Sequence, residues 1–110
     1  VAPMSTKRAG LAAAVVDGKL YAVGGNRAGG PVDSVERYDP ATNTWETVAP
    51  MSTKRAGLAA AVVDGRLVAV GGRGVSSVLD SVECYDPATN TWETVAPMGT
   101  GFAYLAGVAI

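Results

Sequence analysis

The sequence lacks histidine altogether and contains a single cysteine, Cys84. Without histidine, the most frequent general base and the most frequent metal ligand are both missing, which argues against metal-dependent catalysis and most acid–base catalysis. One cysteine permits no disulfide within the chain and no paired-cysteine metal or redox motif. We therefore predict a protein that is not an enzyme and that binds neither a metal nor a cofactor.

The sequence also lacks a large net charge and long apolar runs. Nine Lys and Arg residues stand against ten Asp and Glu residues, a net charge of −1, so no overall field attracts nucleic acid or an acidic membrane surface. No apolar stretch is long enough to span a bilayer, and the N-terminus has no charged segment followed by an apolar one. We expect a soluble protein, cytoplasmic if it is natural, whose partners are neither nucleic acids nor membranes.

The chain does contain an internal repeat with a period of 47 residues. The string VAPMSTKRAGLAAAVVDG occupies residues 1–18 and again 48–65, and 37 of the 47 paired positions are identical. Seven of the ten differences fall in the segment 26–32. A period of this length indicates one supersecondary unit that has been copied, either by design or by recent amplification. A third copy begins at Val95 and reaches only its first predicted strand at Ile110.

Each copy is predicted to form four short strands joined by tight turns. In the first copy these strands are 9–16, 20–23, 34–38 and 44–48. Asp17-Gly18 is a two-residue hairpin signal, and the segment from Asp39 to Asn43 combines the residues that favour turns. The second copy repeats both signals.

The apolar pattern predicts sheets that are covered on both faces. Residues 11–16 are continuously apolar rather than alternating, which is typical of a strand buried on both sides. Four-stranded antiparallel sheets stacked face to face around an axis form a β-propeller. We predict an all-β fold with propeller blades at 1–48 and 49–96, and with the start of a third repeat at 97–110.

The residues that recur in register resemble the kelch repeat. They are a Gly-Gly pair after the second strand, a tyrosine that ends the third, and a tryptophan in the fourth: Gly24, Gly25, Tyr38 and Trp45, then Gly71, Gly72, Tyr85 and Trp92. The flanking strings SVERYDP and TWETVAPM are similar to those of metazoan substrate-adaptor kelch proteins of the oxidative-stress sensor type. We assign these eight residues structural roles in turns and packing.

Two blades do not close a ring, since propellers use roughly 4–8 blades. We expect the chain either to assemble with copies of itself or to be part of a longer array. Three chains giving six blades is the favoured assembly, and four chains giving eight is the alternative.

A predominantly basic group of side chains, four arginines and one asparagine, is predicted at one end of the blades. It comprises Arg8, Arg55, Arg27, Arg73 and Asn26. In the resembled adaptor proteins, arginines just before the first strand bind acidic peptides, and Arg8 and Arg55 match that position. The alternative is that both arginines form surface salt links. Two functions follow: a self-assembling structural scaffold, or a protein-interaction module that binds acidic peptides.

Overall fold

The computed structural model of the protein describes Met4 and residues 8–95, and these residues contain ten strands and no helix. The strands are β1 (Ala12–Val16), β2 (Lys19–Val23), β3 (Asn26–Arg27), β4 (Gly30–Pro31), β5 (Val35–Asp39), β6 (Thr44–Val48), β7 (Ala59–Val63), β8 (Arg66–Val70), β9 (Val82–Asp86) and β10 (Thr91–Val95). The predicted third repeat at 97–110 lies outside the described residues.

Tight turns occur where the sequence predicts them. Asp17 and Gly18 have φ angles of 50° and 75°, the left-handed values that a two-residue hairpin loop requires. Asn43 also has a positive φ of 53°. The carboxylate of Asp39 accepts a hydrogen bond from the Ala41 backbone N–H at 2.9 Å, so this side chain closes the second turn.

The strands form two four-stranded antiparallel sheets with the same meander topology. The first sheet has the order β1-β2-β5-β6, and the second has β7-β8-β9-β10. Corresponding residues pair alike: Tyr21 lies opposite Arg37 in the first sheet, and Val68 lies opposite Cys84 in the second. The all-β prediction is therefore confirmed.

The variable segment differs between the two copies in structure as well as in sequence. In the first copy, β3 and β4 form a small separate hairpin in which Asn26 pairs with Pro31. In the second copy, a single bridge between Arg73 and Val78 takes its place. Bridges from Ala9 to Asn26 and from Ala56 to Arg73 hold this segment against the chain that enters each sheet.

The two sheets pack face to face, with β1 next to β7 and β8. We call the side of the first sheet that meets the second sheet its back face, and the opposing side of the second sheet its front face. The residues in this joint are Val16, Tyr21, Val23, Val35 and Val48 from the back face, Leu67, Ala69, Tyr85 and Trp92 from the front face, and Met51 and Leu58 from the segment between the sheets. Side chains alternate between faces along each strand, so each sheet also has a face outside the joint.

Backbone hydrogen bonds reinforce the joint. The Gly25 N–H donates to the Arg55 carbonyl at 2.9 Å, and the Met51 N–H donates to the Asp33 carbonyl at 2.9 Å. The Gly57 N–H donates to the Gly10 carbonyl at 2.8 Å. The segment that connects the sheets is therefore bonded to the first sheet along its length.

The two faces outside the joint differ in exposure. The front face of the first sheet carries Leu20 and Val15, which are 37% and 59% exposed, together with the half-buried Tyr38 and Trp45. The back face of the second sheet carries a separate apolar cluster of Ala59, Val68, Val70 and Val82, which are buried, flanked by the partly buried Val63 and Cys84.

Candidate functional site

Arg55 is buried, and its guanidinium bonds to four groups on three residues of the second blade. Nη1 donates to the carbonyls of Gly71 and Ser81, both at 3.0 Å. Nη2 donates to a carboxylate oxygen of Glu83 at 2.6 Å and to the Ser81 hydroxyl at 3.1 Å. The side chains of Arg55 and Glu83 are 0% and 1% exposed, so the ion pair is fully desolvated. This guanidinium links the ends of β8 and β9.

Arg8 repeats this arrangement in the first sheet. Its Nη1 donates to the carbonyls of Gly24 and Ser34 at 3.0 and 2.8 Å, and its Nη2 donates to Glu36 at 2.8 Å. The side chains of Arg8 and Glu36 are 0% and 2% exposed. The rigid fork of the guanidinium suits this use, because it reaches a carbonyl pair and a carboxylate at once.

The structure corrects the placement of Arg8 and Arg55 in the sequence analysis. Both interpretations there, acidic-peptide contact and surface salt link, assumed an exposed side chain. Each arginine does form a salt link, but within the blade rather than on its surface. Because neither side chain has exposed area, an acidic peptide cannot reach the guanidinium of Arg8 or Arg55 in this form of the protein.

The other three predicted contacts lie near one another at one end of the blades. Arg27 and Arg73 are exposed, and Asn26 is half-buried. The Asn26 N–H donates to the Ala9 carbonyl at 2.6 Å, and the Arg73 N–H donates to the Ala56 carbonyl at 2.7 Å. These backbone bonds fix the equivalent Asn26 and Arg73 beside the entry to β1 and β7. A role for Arg27 and Arg73 in peptide binding stays a prediction.

A cleft of about 400 Å³ opens at the same end, between Pro31 of the first copy and the segment 73–78 of the second. Val75 and Val78 line it and are 76% and 54% exposed. Sequence analysis did not single out these two valines. The available signal was the difference between the copies, since valine replaces Ala28 and Pro31 of the first copy at the equivalent positions.

The glycine pairs of the repeat are required by close backbone approach. Gly24 has a φ of 63°, and a Cβ on it would lie 2.4 Å from the Arg55 carbonyl oxygen. Gly72 has a φ of 94°, and its Cβ would lie 2.7 Å from the Ala56 carbonyl oxygen. Gly25 and Gly71 also have positive φ angles, of 105° and 60°. All four glycines therefore have structural roles here.

The aromatic residues of the repeat hold the outer strands. Tyr38 and Trp45 lie 5.3 Å apart between ring centroids, and Tyr85 and Trp92 lie 5.1 Å apart. Trp92 Nε1 donates to the Ala49 carbonyl at 2.8 Å. This bond ties β10 to the segment that leads into the second sheet. Burial raises the pKa of the Tyr85 hydroxyl, which remains a donor to Asn90 at 2.7 Å.

Cys84 is half-buried on the back face of the second sheet. Burial raises the pKa of its thiol above the ordinary value of a cysteine, while Arg66 lowers it and Glu93 and Asp86 raise it further. The thiol is therefore protonated at neutral pH, which makes it a poor nucleophile. Within the described residues, no group of His, Cys, Asp and Glu side chains is arranged to hold a metal ion.

The chain belongs to the kelch-repeat family. The sequence profile of the Kelch motif matches residues 7–52 and 54–99, one match for each copy. The chain is 55% identical over 40 residues to an F-box/kelch-repeat protein of Arabidopsis thaliana, an alignment that covers 34% of this chain and 12% of that protein. It is 44% identical over 45 residues to Kelch-like protein 33 of Homo sapiens, which covers 41% of this chain and 8% of that protein.

A solved structure supports the fold. The structure of YjhT superposes with a TM-score of 0.77 at 20% sequence identity, covering 87% of this chain and 40% of that chain. Together with the Kelch motif matches, this shows that the two sheets are kelch β-propeller blades. The chain spans only a small part of its curated relatives. In the part of the chain that the structure describes, no helix could cross a membrane.

Proposed function

We propose that this chain is a structural propeller segment whose two blades close a ring by joining further copies of the chain. The observation that carries the proposal is that the two faces outside the joint repeat the residues of the two faces that form the joint. Leu20, Tyr38 and Trp45 of the open front face correspond to Leu67, Tyr85 and Trp92 of the joined one. On the back face of the second sheet, Val70 and Val82 correspond to Val23 and Val35.

Such contacts are head-to-tail, because the front face of one copy meets the back face of the next. Head-to-tail interfaces form rings when the rotation closes. Three chains would give six blades and four would give eight, both within the range of roughly 4–8 that propellers use. We favour three chains, as the sequence analysis did.

Burial of apolar side chains supplies the driving force. Leu20 and Val15 are substantially exposed on the open front face, and exposed apolar surface of this kind marks an interaction site. Fully burying one such side chain contributes about 1.5–3 kcal/mol. In the joint, the equivalent Tyr85 and Trp92 pack against the core formed with the first sheet, and we expect Tyr38 and Trp45 to be covered in the same way.

Light scattering on a sizing column tests the proposal. We expect a mass of about three times 11.1 kDa for the chain, and a folded species near 11.1 kDa for the variant Leu20→Asp. The control Val75→Asp introduces the same charge at a residue that is 76% exposed on the loop, and it should keep the wild-type mass. A wild-type mass of one chain at every concentration, or an unchanged mass for Leu20→Asp, would contradict self-assembly through these faces.

The cleft beside Arg73 favours a second candidate function, binding of a protein segment at the loop end of the blades. Exposed valines next to exposed arginines suit a peptide that carries both apolar and acidic side chains. We expect a fluorescent peptide of glutamate and leucine to bind at low salt, and a peptide of lysine and leucine not to bind.

The variant Arg27→Glu/Arg73→Glu should weaken binding of the acidic peptide at least about tenfold by reversing two charges. Arg66→Glu is the matched control, because Arg66 is exposed at the start of β8, outside the loop end. Equal affinity of the wild type and the double variant for the acidic peptide would exclude this function.

A further inference from the structure

One difference between the two copies removes a charged side chain. Arg37 of β5 corresponds to Cys84 of β9. Each lies directly opposite a glutamate of the outer strand, Arg37 opposite Glu46 and Cys84 opposite Glu93. The first copy therefore shows which group this glutamate binds when an arginine stands opposite it.

In the first copy, the guanidinium of Arg37 is held on several sides. It forms an ion pair with Glu46, lies 5.9 Å from the ring centroid of Tyr21, and donates from Nη1 to the Tyr21 hydroxyl at 3.3 Å. The Arg37 side chain is only 21% exposed, whereas that of Glu46 is 55% exposed. The ion pair is thus reachable from solvent even though the two sheets are packed together on this face.

In the second copy, a cavity lies at the same place. It has a volume of about 80 Å³ and is lined by Arg66, Cys84, Asp86, Thr91 and Glu93. One water molecule needs about 10–15 Å³ of such volume, so the cavity has room for a small organic group. Arg66, Thr91 and Glu93 are exposed, which leaves the cavity open to solvent. In this it differs from the apolar cluster of the same face, which is buried.

The cavity also has one positive charge fewer than its counterpart. In the first copy, two cations balance two carboxylates at the equivalent positions, which are Lys19, Arg37, Asp39 and Glu46. The second copy keeps both carboxylates, Asp86 and Glu93, but only one cation, Arg66. Within residues 8–95, no ion pair involves Glu93. The chemistry of the first copy therefore indicates that a cation is the group this cavity accepts.

We propose that Cys84 is a site of reversible modification by disulfides of small aminothiols, which place an ammonium group in this cavity. The Cys84 thiolate attacks one sulfur of the disulfide and forms a new S–S bond, while the other sulfur leaves as a thiolate. The proton that Cys84 loses goes to the leaving thiolate. Cys84 is oxidised, the released aminothiol is the reduced product, and no further oxidant is needed.

The length of the new side chain fits the vacated place. In the mixed disulfide with cysteamine, the ammonium nitrogen is as many bonds from Cβ as the Nη atoms of an arginine are. It can therefore reach Glu93 as Arg37 reaches Glu46. The adduct restores the missing charge, and its ion pair with Glu93 stabilises it relative to an adduct with a neutral thiol.

The protonated state of Cys84 affects the rate of this reaction rather than its choice of reagent. Burial raises the pKa of the thiol, and exchange proceeds through the thiolate, so the reaction is slow at neutral pH. The preference for a positive charge arises in the adduct, after the bond has formed. It is therefore a property of the equilibrium and is measured there.

The test equilibrates the folded chain at low salt with cysteamine and its disulfide, and separately with mercaptoethanol and its disulfide. The mercaptoethanol adduct has the same length and no charge. Mass spectrometry gives the equilibrium constant of each adduct, and the ratio of the two constants in the urea-unfolded chain is the reference. We expect a ratio about two- to fivefold higher in the folded chain, as for a partly exposed ion pair.

Two variants with the same change of charge decide whether the cavity is responsible. Glu93→Gln removes the carboxylate that binds the ammonium group, so its folded ratio should equal the reference. Asp80→Asn is the control and should keep the wild-type ratio, because Asp80 is exposed in the loop before β9, at the opposite end of that strand from Asp86.

Four outcomes would overturn the proposal. They are no adduct on the folded chain, an equal ratio in the folded and unfolded wild type, a ratio that Glu93→Gln leaves unchanged, and a ratio that Asp80→Asn lowers as much as Glu93→Gln does.

Stability gives a second readout that needs no redox equilibrium. The chain that carries the cysteamine adduct should have a higher urea midpoint than the chain that carries the mercaptoethanol adduct, because the ion pair exists only in the folded state. Equal midpoints would contradict the proposal. Both measurements are independent of the proposed self-assembly, since the equivalent ion pair of the first copy stays partly exposed when its face is covered.

Discussion

Replacing Arg55 with methionine is expected to lower the free energy of unfolding by about 3–5 kcal/mol, as breaking a buried ion pair by removing one partner usually does. Glu83 is 1% exposed and would lose the guanidinium that compensates its charge. The carbonyls of Gly71 and Ser81 would lose a donor as well. Methionine has a similar length and an apolar stem, so lost packing is not the main effect. Urea denaturation followed by circular dichroism measures the loss.

Two further variants check this explanation. Arg73→Met makes the same replacement at an exposed side chain, and it should change the free energy of unfolding by less than about 0.5 kcal/mol. Arg55→Met/Glu83→Gln removes the uncompensated charge, so it should recover part of the loss. Glutamine can still accept the hydrogen bonds that the Ser52 N–H and hydroxyl donate at 2.7 and 2.9 Å. Near-wild-type stability of Arg55→Met would mean that this ion pair does not hold the blade.

Replacing Gly24 with alanine should lower the free energy of unfolding by about 2–5 kcal/mol. The left-handed conformation at φ 63° costs an alanine about 1–2 kcal/mol, and the new methyl group would sit 2.4 Å from the Arg55 carbonyl oxygen. Relieving that clash requires the two sheets to move apart, and overpacking of this kind typically costs about 1–3 kcal/mol. The shift also strains the hydrogen bond from the Gly25 N–H to the same carbonyl.

Gly18→Ala separates the two contributions. Gly18 also has a positive φ, of 75°, but no heavy atom lies within 4 Å of its added Cβ. Gly18→Ala should therefore lower the free energy of unfolding only by the conformational cost of about 1–2 kcal/mol. Equal losses for the two variants would show that the approach of the Arg55 carbonyl to Gly24 adds nothing, and that the joint tolerates a methyl group there.

The strands and turns were predictable because they depend on local chemistry. Asp17-Gly18 fixed the first hairpin, and the predicted fourth strand at 44–48 coincides with β6. The predicted first strand, 9–16, is too long, since β1 begins at Ala12. Gly10 adopts a φ of 65° and turns the chain, which leaves Ala9 bridged only to Asn26. An alanine-rich sequence does not reveal where a positive φ interrupts the strand.

The burial of Arg8 and Arg55 was not predictable from their position in the sequence, but their glutamate partners could have been found. A residue just before a strand is at the end of the sheet, and only the packing of carbonyls around it decides whether its side chain turns inward. Glu36 and Glu83 were overlooked, although the alternation of faces along their strands indicated that they point the same way as residues assigned to packing. Glu36 is two residues from Tyr38, so it lies on the same face as a tyrosine that was assigned to packing. A carboxylate on such a face requires a cationic partner.

The hydrogen bond from Trp92 to Ala49 has a consequence for the order in which the protein forms during synthesis. Trp92 lies in the last strand of the second blade, and Ala49 precedes the first strand of that blade by ten residues, so donor and acceptor are separated by 43 residues. The ribosome therefore adds Ala49 to the chain 43 residues before it adds the indole that secures it. The first blade can pair its strands as soon as it emerges, but its attachment to the second is completed only when translation has passed Trp92.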